Sequence, residues 1–469
     1  MTKFMQSTKK KMEIHGVTKT AMVGGLACQR NSFLFDGFKT VVVSCEPKKD
    51  KKGKAEGYDI ELQDTILFPE GGGQPSDSGL LRIVKGNGDS STINKSVQVP
   101  HISRSGLHAK HHVKEPIEPG TTVEIVVDAV KRMDYMQQHT GQHLLSAIIE
   151  RKYQLKTISW SMGGLITEKK STLEPNDYFN YIEINRKLTE GQITEISDEI
   201  NQFITKSPQE ITVVERISSG VDEVDTSKIP DDYDLSKGIL RTIQIGVIDS
   251  NPCCGTHLES TSQIGSILIL PNQTTVRGSN SKVYFMCGKR VADYANSANK
   301  TLSNSKSLLS CSESQVPEKI EMQGKKLQQS NKREQYWIKK LAHIASEELR
   351  SSLKASGKRR AYFMEEEFGT LELLLQIFKG ISTHLNGEFE AYEIILCGYE
   401  RQTNTGSLLI LSESGEKISS LASKLGSMLQ NLKGGGGKKG GKWQGKITSI
   451  SNAELAALTD YLTHEFIAH

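Results

Sequence analysis

Between residues 40 and 128 the chain alternates apolar and polar positions in short runs: TVVVSC (40–45), YDIELQDTILF (58–68), GLLRIV (79–84) and TTVEIVVD (121–128). Gly, Asp, Asn and Pro separate these runs, which marks strands joined by turns, so the stretch reads as a small barrel or sandwich. From Asp128, a side chain suited to an N-cap, the period lengthens, and Val130, Met133, Leu144, Leu145 and Ile148 recur near one face of a helix. A second helix is expected over residues 189–207, with strands at 210–217, 240–249, 264–270 and 281–288. The fold class is α+β.

Past Lys289 the pattern becomes long, polar and helical, interrupted by Pro317, with Ile320, Leu327, Ile338 and Leu341 near heptad spacing. The repeat is too irregular for a coiled coil and reads as a spacer or hairpin. Beyond residue 355 an α/β pattern follows, with strands at 389–399 and 406–414, a helix, a glycine-lysine loop and a final helix. The expected domains are a β-barrel-like part at 1–125, an α/β core at 126–295, the helical spacer at 296–354 and an α/β part at 355–469. The spacer and the C-terminal part are the expected sites of a homodimer contact.

A chain of 469 residues exceeds one ordinary core, so roughly two to four domains are expected. Its 59 Lys and Arg against 55 Asp and Glu give a net charge of +4, too small to name a partner. Lysines instead cluster locally, in KKDKKGK (48–54) and KGGGGKKGGKWQGK (433–446). Seven cysteines, an odd number without a framework, argue for a reducing compartment and against structural disulfides. No apolar run approaches the ~20 residues of a membrane span, so no membrane partner and a cytoplasmic location are expected. The first twelve residues lack acids, as in a mitochondrial presequence, but use Lys where such segments favour Arg.

Two stretches carry candidate chemistry. His139 and His143 stand four apart on the expected helix, so both imidazoles project from one face on successive turns. Cys253 and His257 in NPCCGTHLES have the spacing of a loop that completes a tetrahedral zinc site begun by two such histidines. Taken alone, the Cys-His stretch also fits a nucleophile with its base, or packing, and the helical histidines also fit surface or satisfied core positions. Thr140, Gly141 and Gln142 lie between the helical histidines, so the glutamate base of an H-E-x-x-H protease is missing. In TILFPEGGGQPSDSG (65–79) three glycines leave the backbone open to a ligand, but no Gly-Lys-Ser/Thr follows and Pro75 opposes a phosphate-binding helix.

These stretches, with RMDYMQQHTGQHLL and IGVIDSNPCCGTHLESTSQIG in order, resemble the editing domain of alanyl-tRNA synthetases and the free-standing AlaX-type editing proteins. The likeness covers most of residues 30–295, and NSKVYFMCGKRV fits the closing strand. The glycine-rich region at 434–446 is similar to the C-terminal domain of the same synthetases, so the long free-standing form accounts for nearly the whole chain.

The resemblance implies one Zn²⁺ per chain held by His139, His143, Cys253 and His257. It places Thr65, Gly71, Gly72, Gly73 and Gln74 around the aminoacyl end of a tRNA, with Thr65 and Gln74 in catalytic roles. Cys254 stands where a glycine is common, as a small buried neighbour. Leu67 and Phe68 replace a frequent aromatic pair. The implied activity is hydrolysis of mischarged tRNA(Ala), chiefly Ser-tRNA(Ala), with Gly-tRNA(Ala) next. Lys438, Lys439 and Lys442 would meet tRNA phosphates, with Trp443 available to stack. The alternative is a zinc-containing tRNA-binding or assembly protein without catalytic activity.

Overall fold

The computed structural model describes residues 20–49, 53, 55–85, 92–163, 179–217, 239–357, 359–384, 392–439 and 441–466. The acid-free first twelve residues, most of the lysine run at 48–54 and the start of the expected strand at 389–399 lie outside them. The chain divides into two compact units, Met1–Thr301 and Leu302–His469.

A bulge and a proline shape the first sheet. After the short helix α1 (Ala27–Arg30) come β1 (Phe38–Lys49), β2 (Ala55–Leu62), β3 (Gly79–Lys85), β4 (Thr92–Val99), β5 (His101–Ser105), β6 (His108–Val113) and β7 (Thr122–Val127). They form one antiparallel sheet in the order β4-β3-β7-β1-β2-β6-β5. Residues 38–41 of β1 pair with β7 and residues 42–49 with β2, with a register shift at Val42/Ser44, the bulge that lets one strand serve two half-sheets. The expected barrel is not formed: among the described residues no sheet closes on itself. The end strands β4 and β5 are consecutive in the chain and meet end to end across Pro100, which has no N–H to give a ladder. Ile60, Leu81, Ile102 and Ile125 lie fully buried in this sheet's core.

Asp128 caps α2 (Ala129–Tyr153) by accepting a hydrogen bond from the Lys131 amide, as its sequence position suggests. Burial nearly encircles the middle of this helix, from Arg132 to Leu145, whereas Val130, expected on the buried face, is exposed in the first turn. Next come β8 (Ser159–Ser161), β9 (Asn180–Ile184), α3 (Glu190–Thr205), β10 (Ile211–Ile217), β11 (Ile239–Ile245), β12 (Asp249–Pro252), β13 (Ile267–Ile269), β14 (Thr274–Thr275), β15 (Ser281–Cys287) and α4 (Lys289–Leu309). Strands β10-β11-β12 form one small sheet and β13-β15-β9-β8 another, with β14 against β15. Isoleucines 193, 196, 200 and 204 of α3, at three- and four-residue spacing, pack with Met136, Leu144 and Ile148 of α2 in one core.

The second unit holds α5 (Val316–Ser356), β16 (Arg360–Glu365), α6 (Leu371–His384), β17 (Glu393–Glu400), β18 (Thr405–Ser412), α7 (Gly415–Met428), β19 (Leu432–Gly436), β20 (Gly441–Ile447) and α8 (Asn452–Glu465). Pro317 starts α5, where a missing N–H is harmless. The sheet runs β16-β17-β18-β20-β19, parallel only at β16/β17, with α5 and α6 over one face and α7 and α8 over the other. The glycine-lysine stretch expected as a loop is a hairpin, β19 paired with β20. No helix among the described residues is long and apolar enough to cross a membrane.

Candidate metal centre

Helix α2 and the loop after β12 bring His139, His143, Cys253 and His257 together, with one donor atom of each within 4.8 Å of the others. Sγ of Cys253 lies 3.5 Å from Nε2 of His139 and 3.3 Å from Nε2 of His257. Around a zinc ion with bonds of ~2.0–2.1 Å to nitrogen and ~2.3 Å to sulfur, the nitrogen–sulfur edge of a tetrahedron is about 3.5 Å. The spacing and the three-nitrogen, one-sulfur donor set therefore fit zinc.

Each imidazole has its other nitrogen engaged. Nδ1 of His139 donates to Oε1 of Gln74 at 2.8 Å, Nδ1 of His143 faces Oδ2 of Asp249 at 3.0 Å, and Nδ1 of His257 lies 3.3 Å from the Thr140 hydroxyl. All three Nε2 atoms are thereby turned to the common centre, the arrangement in which an outer partner fixes a ligand's tautomer and raises its basicity. Burial works against charge on Cys253, but the adjacent imidazoles of His139 and His257 hold its thiol well below the ordinary range. Burial also keeps His139 and His257 neutral, their pKa lowered despite the sulfur beside them. On His143 the hydrogen bond to Asp249, together with Cys253, overcomes burial and pushes the pKa up to about 10. A thiolate and neutral imidazoles are the forms that ligate metal, so Cys253, His139 and His257 stand in their ligating forms, while His143 would release a proton on binding one.

The glycine run has a structural explanation. Gly72 and Gly73 have φ of 57° and 82°, and the Gln74 amide donates to the Gly71 carbonyl at 3.1 Å. This is a tight turn whose two central residues both need positive φ. The turn points Gln74 inward, where its Oε1 also accepts from the Thr256 amide at 3.1 Å and its Nε2 donates to the Thr256 hydroxyl at 2.8 Å. The space beside Gly73 is filled by Trp160: a Cβ there would sit 2.6 Å from the indole, and that indole lies 4.8 Å from the His139 ring. Gly72 opens onto nothing within 4 Å, and Gly71 only onto Arg104. Gly255 is required by close approach, since a Cβ would be 2.2 Å from His139.

Thr65 is buried, with its hydroxyl 2.9 Å from Nε2 of His111 and accepting from the Leu67 amide at 3.0 Å. Because Nδ1 of His111 faces the Ile60 carbonyl at 3.0 Å, that nitrogen carries the proton and Thr65 donates its own to Nε2. Further bonding by Thr65 is then as an acceptor. The fully buried Arg132 holds this segment to α2, donating to the Ile66 carbonyl at 2.6 Å and to the Asp77 carboxylate. Cys254 is outside the ligand group: its carbonyl accepts from Gln29 at 2.6 Å, and burial pushes its thiol up to about 11.

In the second unit Lys438 and Lys439 are exposed at the tip of the β19/β20 hairpin, while the Lys442 ammonium lies over the Phe378 ring at 5.4 Å. Trp443 is buried beneath Gly434 and Gly445, so the expectation that it stacks on a nucleotide is corrected. Sequence spacing missed Asp249, Thr140, Trp160, Arg241 and Gln29. Asp249, four residues before Cys253, was the nearest to a local signal.

Comparison with known proteins places residues 240–284, which contain Asp249, Cys253 and His257, within the second additional domain of threonyl and alanyl tRNA synthetases. A Saccharomyces cerevisiae protein provisionally named alanyl-tRNA editing protein alaX is 76% identical over 95% of this chain and 97% of its own. The Mus musculus alanyl-tRNA editing protein Aarsd1 is 31% identical over 93% of this chain and 98% of its own. The Pyrococcus horikoshii alanyl-tRNA editing protein AlaX-L is 30% identical over 53% of this chain and 55% of its own.

Proposed function

The chain belongs to the family of free-standing alanyl-tRNA editing proteins, and from that membership we propose that it deacylates mischarged tRNA(Ala), chiefly Ser-tRNA(Ala) and secondarily Gly-tRNA(Ala), with zinc in the site. The observation that carries this reading is the convergence of His139, His143, Cys253 and His257 beside the turn that delivers Gln74. Its seven free cysteines suit a reducing cytoplasm.

The reaction adds water across the ester, releasing the amino acid as its acid and returning a proton to the 3′ oxygen of the terminal ribose. Zinc held by the four side chains would supply fixed positive charge that orients the aminoacyl group and polarises its ester. Gln74 orients His139, and Trp160 covers that ring from the glycine turn. Gly71 and Gly72 leave backbone open for the tRNA end. Thr65 selects the substrate. With its own O–H donated in a hydrogen bond to His111, it can accept a hydrogen bond from a seryl hydroxyl, which alanine cannot make and which distinguishes the two amino acids by up to ~10⁴-fold. In the second unit Lys438, Lys439 and Lys442 meet phosphates of the tRNA.

Four protein donors also describe a closed, structural zinc site, which favours a second reading as a tRNA-binding protein without catalysis. A deacylation time course on Ser-, Gly- and Ala-tRNA(Ala), with and without a chelator, separates the two. Cleavage of the seryl ester, sparing of the alanyl ester and loss of activity with chelator are expected, and Thr65→Val narrows the Ser/Ala ratio. Absence of cleavage by zinc-loaded protein overturns the hydrolase reading in favour of the second.

A further inference from the structure

Helix α5 buries one face, Ala342, Ala345, Leu349 and Leu353, against α6 and the sheet of the second unit. Opposite lies a regular charge pattern. Lys325 and Lys326, Lys332 and Arg333, and Lys339 and Lys340 recur every seven residues, and all six are exposed. At 1.5 Å per residue the pairs are about 10.5 Å apart along one side of the helix. Across residues 325–340 these six cations face one acid, Glu334. Lys325 is paired with Glu321, and no ion pair holds the other five among the described residues. Tyr336 and Trp337 stand 55% and 61% exposed beside the stripe, packed edge to face with ring centroids 5.3 Å apart.

Exposed aromatics interleaved with unpaired cations are the chemistry of a polyanion surface. We infer that the outer face of α5 docks the phosphate backbone of an RNA duplex arm; the proposed function enters only in naming that RNA as a tRNA. A second copy of the chain fits the same face poorly. In heptad terms the apolar Ile320, Leu327, Trp337 and Leu341 are interrupted by Gln323, Ser330 and Glu334. In a parallel pair Lys326, Arg333 and Lys340 would meet Asn331, Ile338 and Ala345, none acidic, and in an antiparallel pair the cations would face one another. A duplex supplies the missing negative charge, and double-helical RNA is recognised largely through backbone and shape.

The test uses the full chain, an end-labelled uncharged tRNA(Ala) transcript, and anisotropy titrations between 50 and 200 mM KCl. The triple variant Lys326→Gln/Arg333→Gln/Lys340→Gln is compared with Lys39→Gln/Lys187→Gln/Lys206→Gln, which removes the same charge from exposed lysines of the first unit. At about 0.9 of log–log slope per phosphate contact, the α5 variant loses about 2.7 of salt slope, so raising the salt fourfold weakens wild type roughly 40-fold more than the variant. The control keeps the wild-type slope, and melting curves of all three coincide. Equal slopes for wild type and the α5 variant overturn the inference, as does an equal loss in both triples. A change of sedimentation from dimer to monomer without a change of slope overturns it in favour of a protein interface. If wild type cleaves no seryl ester while the slope still falls, the surface stands and the editing reading fails.

Discussion

Removing Gln74 tests whether the glycine turn serves the metal or the substrate. Its amide makes three bonds, to Nδ1 of His139 at 2.8 Å, the Thr256 amide at 3.1 Å and the Thr256 hydroxyl at 2.8 Å. Only one orientation of the amide group satisfies all three. In Gln74→Ala the buried N–H groups of His139 and Thr256 lose their acceptor, at about 1–3 kcal/mol for each unsatisfied group. The part that falls on His139 is of the size by which lost outer partners weaken metal sites, 10–100-fold or about 1.4–2.7 kcal/mol. Competition titrations against a chromophoric zinc chelator should therefore show zinc bound 10–100-fold more weakly, with residual deacylation following metal occupancy. Gln74→Glu keeps the acceptor for both N–H groups and should hold zinc at least as tightly as Gln74→Ala. A Gln74→Ala protein with wild-type zinc affinity and no activity would show that Gln74 acts on the substrate and that the positioning argument is wrong.

Gly73→Ala places a Cβ at φ 82° and 2.6 Å from the Trp160 indole; a loss of roughly 1–3 kcal/mol in denaturant unfolding is expected, together with altered tryptophan emission as the indole leaves His139. His111, fully buried, has its pKa lowered to about 4, chiefly by burial. The folded state therefore resists binding a proton that the unfolded chain accepts near pH 6.5, so stability is intact above that pH and falls as the pH drops towards 4. The loss amounts to roughly 3 kcal/mol. Urea melts from pH 7 to 4 should show this fall in wild type, and His111→Asn should flatten it.

The four side chains that could hold a metal were legible because each pair is local: four residues apart on a helix, or four apart in a loop. Their orienting partners were not. Gln74 is 65 residues from His139 and Asp249 is 106 from His143, and contacts at such separations leave no period in one sequence. The same limit hid several strands, among them β4, β5 and β6 of the first sheet. In β5 and β6 the inward positions include His111 beside Ile102 and Ala109, so the stretch reads as polar although its burial alternates. The hairpin of β19 and β20 looked like a loop because its glycines advertise freedom. In the fold Gly434 and Gly445 make room for the Trp443 ring, and the strand pairing supplies the order that composition lacks. Strands with apolar side chains at the inward positions, such as β7, β15, β17 and β18, were found within a few residues.

The loop from Cys253 to Thr256 has no regular structure, yet it carries one of the four side chains that could hold a metal. Its rigidity comes from carbonyls caught by distant side chains. Arg241 of β11, itself 1% exposed, donates to the carbonyls of Cys253 at 3.0 Å, Gly255 at 2.6 Å and Gln29 at 3.0 Å. Gln29 of α1 in turn donates to the Cys254 carbonyl, and its Oε1 accepts from the Gly24 and Leu26 amides. One buried cation thus ties this loop to the N-terminal segment that precedes the first sheet, while Gln74 of the glycine turn between β2 and β3 holds His139. After burial and the neighbouring His143, the same guanidinium adds a smaller push against a proton on His139. The donors come from two short motifs, but their geometry belongs to the whole first unit. Residues 126–295 taken alone would carry all four candidate metal-binding side chains and keep Arg241, Asp249 and Thr140, but would lack Gln74, the partner of His139, and Gln29, the partner of the Cys254 carbonyl.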